Sequence, residues 1–207
     1  MSVTREEVVH HGIRLEYLTI GWNSLEALIA IAAGLIAGSI ALVGFGLDSV
    51  IETFSGATLL WRLHTDRNRD QAGRERAERT ALRLVGWSFI ALTIYIAYDS
   101  ISSLMRRESP EHSIPGIALA AASVIVMPFL ARAKRRVAAG LNSGAMHADS
   151  RQTDICAYLS AILLGGLLLN AVLGWWWADP VAALIMTPLI AHEGIEALRG
   201  KTCACHK

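Results

Sequence analysis

Polar and apolar positions in this chain fall in long blocks, without the short periods of a soluble helix or strand. A membrane's hydrocarbon core needs roughly 20 mostly apolar residues per helix. Six stretches meet that length, at approximately 16–37, 40–61, 81–104, 115–132, 147–174 and 179–198. The fourth, IPGIALAAASVIVMPFLA, is apolar throughout and carries Pro128 near its end; membrane helices tolerate proline because neighbours satisfy the freed backbone groups. The pattern predicts an all-α, polytopic membrane protein of six transmembrane helices over 16–198. It is preceded by a polar segment, 1–15, and followed by a short tail, 199–207. There is no evident internal repeat and no low-complexity segment.

Charge sets an expected orientation. The connector after the second stretch holds seven arginines, at 62, 67, 69, 74, 76, 79 and 83. The one after the fourth, ARAKRRVAAG, holds Arg132, Lys134, Arg135 and Arg136. The connectors between stretches 1 and 2 and between 5 and 6 hold no Lys or Arg. By the positive-inside rule both termini and the two basic connectors are cytoplasmic. Trp175, Trp176 and Trp177 fit an interfacial aromatic anchor at the outer turn. Composition agrees: 53% of the 207 residues are hydrophobic, and a net charge of +1 gives no basic footprint for nucleic acid. The N-terminus lacks a signal-peptide pattern, so insertion is expected to rely on the spans. Three cysteines, at 156, 203 and 205, form no disulfide framework. The compact length and lack of an organelle signal point to a bacterial inner membrane.

Several acids stand where lipid is expected. Asp48 and Glu52, at i and i+4, share one helix face. Glu52 lies roughly 15 Å along the helix from Arg62. A lone intramembrane acid costs at least ~2.5 kcal/mol, and two on one face repel, so the pair wants a cation or shared protons. The plainer alternative is a structural pair hydrogen-bonded to Ser and Thr of neighbouring helices. The fifth stretch opens MHADSRQTDIC. Its Asp149 and Asp154 are about 140° apart in helical projection, so they cannot both point directly at one partner helix, although a broad cavity could see both. His147, seven before Asp154, shares its face. Glu26, far from either end of the first stretch, is a candidate proton carrier or a partner for another helix. Asp179-Pro180 reads as a helix N-terminus, with Asp as the cap. Gly34 and Gly38 form a G-x-x-x-G packing motif. In the tail KTCACHK, Cys203, Cys205 and His206 are soft donors suited to Zn²⁺ or Cu(I) as a secondary metal site.

Six spans, paired acids at i, i+4 in the second and further acids in the fifth resemble the cation diffusion facilitator family. The matching stretches are GSIALVGFGLDSVIE, HADSRQTD, and WWWADPVAALI leading into HEGIEALRG. The resemblance implies a divalent transition-metal efflux transporter that exchanges metal for protons, of the Zn, Mn, Fe or Co class, and a homodimer. It implies a tetrahedral site with two residues from span 2, here Asp48 and Glu52, and two from span 5. The family's span 5 pattern is His-x-x-x-Asp. With Asp154 as that Asp, the His position falls on Ser150, a poor ligand, which leaves Asp149 or His147 as the replacement. A centre of Asp48, Glu52, Asp149 and Asp154 is rich in oxygen and favours Mn²⁺ or Fe²⁺ more than the usual one does. The short tail implies a membrane-only member without the family's C-terminal domain. No resident cofactor is expected, since the metal is cargo. A non-transporting membrane scaffold or a metal-regulatory membrane protein is the alternative. An intramembrane hydrolase is disfavoured, because no nucleophile motif and no H-E-x-x-H accompanies the acids.

Overall fold

A computed structural model describes residues 5–65, 71–107, 110–141 and 144–199. They form six helices: α1 (Arg5–Ala37), α2 (Ile40–Thr65), α3 (Gln71–Arg106), α4 (Ile114–Leu141), α5 (Gly144–Leu173) and α6 (Ala178–Leu198). Each contains a stretch long and apolar enough to cross a membrane. The expected spans all fall on separate helices. The basic segments, expected as connectors, differ. ARAKRRVAAG continues α4, and α3 begins at Gln71, inside the arginine-rich segment. Arg, Lys and Ala are good helix formers, so these helices persist past the apolar stretch. Cys203, Cys205 and His206 lie outside the described residues.

The helices pack in three closest pairs, α1 with α2, α4 with α5, and α3 with α6. α1 also lies along α4, and α2 touches α3, α5 and α6 as well. α2 is therefore the central element, and the most buried of the six. The core gathers around it, with Leu42 and Phe45 of α2, Phe89 and Ile96 of α3, Met127 of α4, Leu159 and Leu163 of α5, and Met186 and Ile190 of α6 all inaccessible or nearly so.

Two backbone features hold α2 in place. Gly46 packs face to face with α1: a Cβ there would sit 2.7 Å from Ile31 Cγ1 and 2.9 Å from the Ile31 backbone nitrogen. Asp179 supplies the other. The Asp-Pro sequence predicts a cap for its own helix. Instead α6 starts with no side-chain cap at Trp177, and Asp179 reaches across to the start of α2. Its carboxylate accepts the Ser39 hydroxyl and the backbone N–H groups of Ile40 (2.9 Å) and Ala41 (3.3 Å). A carboxylate against the free N–H groups of a helix N-terminus satisfies orphan donors and favours the helix dipole. The G-x-x-x-G reading holds for one of its two glycines. Gly34 packs on Val43, whereas Gly38 has open space around it and adopts φ +64° to make the turn between α1 and α2.

Same-side contacts brace the end of the bundle where α2 begins. Glu111 donates its N–H to the Ala37 carbonyl at 2.7 Å, and Asn170 Nδ2 donates to the Pro110 carbonyl at 3.0 Å. At the α5–α6 turn, Gly174 has φ +65° and the rings of Trp175 and Trp177 stack at 4.9 Å.

The Gly46 contact is testable. Gly46→Ala places a methyl against backbone that cannot move aside, and overpacking of this kind costs about 1–3 kcal/mol. Thermal denaturation of the purified protein in detergent should show a lower midpoint for Gly46→Ala. Gly21→Ala, where a Cβ meets nothing within 4 Å, should leave it unchanged or slightly higher.

Candidate metal centre

α2 carries Asp48 and Glu52 one turn apart on one face, and both are buried in the bundle. They come together as expected. The third member of their cluster is Cys156 of α5. One ligand atom from each of Asp48, Glu52 and Cys156 lies within 4.8 Å of the other two, and all three residues are buried. This is the one such grouping of three or more His, Cys, Asp and Glu residues among the described ones. Counting 1.5 Å per residue, Asp48 and Glu52 lie about 12 and 18 Å from the start of α2, so the centre is deep in the helical bundle.

Neighbouring polar groups hold the two α2 acids unequally. Asn23 of α1 donates its Nδ2 to Glu52 Oε2 at 2.8 Å, which leaves Asn23 Oδ1 buried without a hydrogen-bond partner. The Asp48 carboxylate accepts no hydrogen bond and meets no cation among the described residues. Gln152 of α5 accepts from Ser55 of α2 at 3.2 Å, and its Nε2 is also buried and unpartnered. Orphaned buried polar atoms are uncommon and call for a missing partner. Those of Asn23 and Gln152 belong to residues bonded to α2, one to Glu52 itself and one a turn further along.

Asp149 and Asp154 do not join the cluster. Asp149 pairs with Lys134 of α4, whose ammonium also stands 3.5 Å from Glu16 of α1. Glu16 and Lys134 are almost wholly inaccessible, at 0% and 1%. Asp154 pairs with Arg135 and is a third exposed. The helical geometry explains the split. Asp149 and Cys156, seven residues apart, share a face to within about 20°, but two turns separate them along the axis. Asp154 is two residues from Cys156 and so about 200° around the helix, facing away from α2. His147 is exposed, and Ser150 is buried with its hydroxyl donated to the His147 carbonyl at 2.7 Å. Neither of the two aspartates expected as ligands therefore stands with Asp48 and Glu52; the α5 residue that does is Cys156, whose seven-residue spacing from Asp149 is the available sequence signal.

Glu26 forms a second buried polar node. Ser123 of α4 and Ser49 of α2 both donate to it, the latter at 3.3 Å. It therefore ties α1 to α2 and α4, one position along α2 from Asp48. Among the described residues the buried charged side chains are Glu16, Glu26, Asp48, Glu52, Asp179 and Lys134. Lys134 is the sole cation of that set, and Asp149 and Glu16 engage it.

Comparison with known proteins bears on this arrangement. Residues 17–201 match the cation efflux transmembrane domain. Over 186 residues the chain is 28% identical to an uncharacterized transporter of Synechocystis sp., covering 88% of this chain and 60% of that protein. Over 172 residues it is 21% identical to the cation-efflux pump FieF of Shewanella oneidensis, covering 81% of this chain and 58% of the pump. Over 185 residues it is 25% identical to transmembrane protein 163 of Xenopus laevis, covering 89% of this chain and 65% of that protein. The chain thus spans about three fifths of the length of these curated relatives.

The Lys134 node generates a prediction. Removing one partner of a buried ion pair strands the others and costs about 3–5 kcal/mol. Lys134→Met should lower the thermal midpoint strongly. Adding Glu16→Gln to Lys134→Met should restore part of the loss, because one stranded carboxylate is gone. A double-mutant cycle on the melting data reads the coupling.

Proposed function

We propose that this chain, which belongs to the cation diffusion facilitator family, carries a divalent transition-metal cation across a membrane and exchanges it for protons at the centre built on Asp48 and Glu52. The observation that carries this reading is the burial of two carboxylates on one face of the central helix, neither of them in an ion pair among the described residues; the nearest buried cation, Lys134, is within electrostatic reach of Glu52 but is paired with Asp149 and Glu16. Two charges left in that state would be prohibitively costly, so each needs a proton or a metal.

The chemistry follows from competition for the same oxygens. Metal ligands must be deprotonated, so a cation entering the centre displaces protons and a proton entering displaces the cation. Asn23 holds Glu52 in one orientation through its amide. The unencumbered carboxylate of Asp48 is free to turn between cargo and proton. Glu26, adjoining the centre through Ser49, is placed to pass or store a proton on the α1–α4 side. α2 meets four other helices, so a shift of α2 alters access from both sides of the bundle. The uneven distribution of Lys and Arg supports cytoplasmic termini, with efflux away from the basic side, and a cell membrane as the location. We extend the family's pairing of copies to this chain as a homodimer.

Transport in proteoliposomes tests the reading, with metal-sensitive and pH-sensitive dyes read together. The wild-type protein should move a divalent transition metal with protons in the opposite sense. A lower pH on the loading side should slow it, because protons compete for the carboxylates. Asp48→Asn should abolish both fluxes while eluting as folded protein. Absence of flux with Zn²⁺, Mn²⁺, Fe²⁺ and Co²⁺ from correctly inserted wild type would contradict the proposal and favour a scaffold.

A further inference from the structure

We propose that Cys156 gives a sulfur ligand to the transported cation, so that the centre selects thiophilic divalent cations of the Zn²⁺ and Cd²⁺ class over Mn²⁺. The inference rests on the reading of Asp48 and Glu52 as the cargo site, and deepens it to a class of substrate.

A buried free cysteine ordinarily behaves as a small hydrophobe, and the rest of its surroundings would allow that. Leu159 and Leu163 follow it along α5 and belong to the same apolar core. The inner side of the residue does not fit. There the thiol meets two buried carboxylates from another helix, donating a hydrogen bond to Glu52, and all three ligand atoms lie within 4.8 Å of one another. An alanine or valine would fill a purely apolar position without placing sulfur against charge. The spacing is also close to what a metal requires. Bonds of 2.0–2.3 Å to oxygen and sulfur put tetrahedral ligand atoms about 3.3–3.7 Å apart. Drawing the three atoms together by at most about 1.1–1.5 Å is within the reach of side-chain rotation.

The other donors that α5 offers are taken up elsewhere. Lys134 holds Asp149 and Arg135 holds Asp154, so sulfur replaces the oxygen or nitrogen donors otherwise expected from this helix. The consequence is chemical. An all-carboxylate site suits Mn²⁺, Mg²⁺ and Ca²⁺, whereas thiolate selects softer ions. Two oxygens and one sulfur make a borderline set, and three protein ligands leave a position for water, which keeps the cargo exchangeable. As the metal–sulfur bond forms, the thiol gives up its proton to water, adding to the protons that binding releases.

Ligation and selectivity can be read separately. Co²⁺ bound to thiolate gives a sulfur-to-metal charge-transfer band in the near ultraviolet. The full chain carrying Cys203→Ser and Cys205→Ser isolates Cys156 as the one thiol. Titrated with Co²⁺, it should show the band, and adding Cys156→Ser should remove it. In proteoliposomes, Cys156→Ser and Cys156→Ala should each lower the ratio of Zn²⁺ flux to Mn²⁺ flux at least about tenfold, the scale on which metal sites respond to lost ligand support. Absence of the band in the Cys203→Ser/Cys205→Ser protein would overturn the proposal. So would an unchanged flux ratio in Cys156→Ser. Absence of flux from the wild type, with the band present in the Cys203→Ser/Cys205→Ser protein and lost on adding Cys156→Ser, contradicts the transport reading alone and supports the sulfur ligand.

Discussion

The constraint on which the rest of this structure depends is the desolvation of Asp48 and Glu52. An ionised carboxylate taken out of water demands a counter-charge, a proton, or several hydrogen bonds. The bundle supplies one strong hydrogen bond, from Asn23 to Glu52, and leaves Asp48 without any among the described residues. α2 is therefore built to be held in place by other means. Asp179 caps its first turn from α6, Gly46 lets α1 approach to backbone contact, and the apolar core closes around its remaining faces. The stability given by those contacts offsets a charge arrangement that no stable apolar core would choose.

Charge elsewhere in the bundle is handled differently, and the contrast is informative. Lys134 is as deeply buried as the acids of the centre but is paired with Asp149 and Glu16, so each charge of that node has a counter-charge even though Glu16 Oε1 accepts no hydrogen bond. Asp179 is buried and matched by helix N–H groups and a serine hydroxyl. Glu26 receives two serine hydroxyls. Only at Asp48, Glu52 and Cys156, among the described residues, do ligating atoms from two helices converge closely enough to hold an ion with no salt bridge to any of them. A site that is open in this sense has room for an ion that comes and goes.

Much of this was legible in the sequence, and the omissions have physical causes. Six spans follow from the length of apolar blocks, because the bilayer's thickness leaves little freedom. The paired acids of α2 follow from i, i+4 spacing. The basic connectors were less legible, since helix propensity carries α3 and α4 beyond the apolar stretch and no hydropathy signal marks that extension. Asp179 has the chemistry of a helix cap, and the structure uses it as one, but for α2 across 139 residues of chain; local sequence cannot reveal which N-terminus a carboxylate will meet. On α5, rotation around the helix separates Asp149 from Asp154. Which acid remains available depends on Lys134 and Arg135, which α4 brings in from 15 and 19 residues earlier. Cys156, in an apolar run, offers no polarity contrast; its face becomes meaningful once α5 lies against α2.

The most direct test of the central claim is location of the ion itself. Crystals of the full chain grown with Zn²⁺, with diffraction measured on both sides of the zinc absorption edge, would place the metal by anomalous scattering without reference to any transport assay. The account predicts a peak between α2 and α5, bounded by Asp48, Glu52 and Cys156. A peak at Asp149 or Asp154 with Lys134 or Arg135 displaced, or density confined to the tail with nothing between α2 and α5, would contradict it.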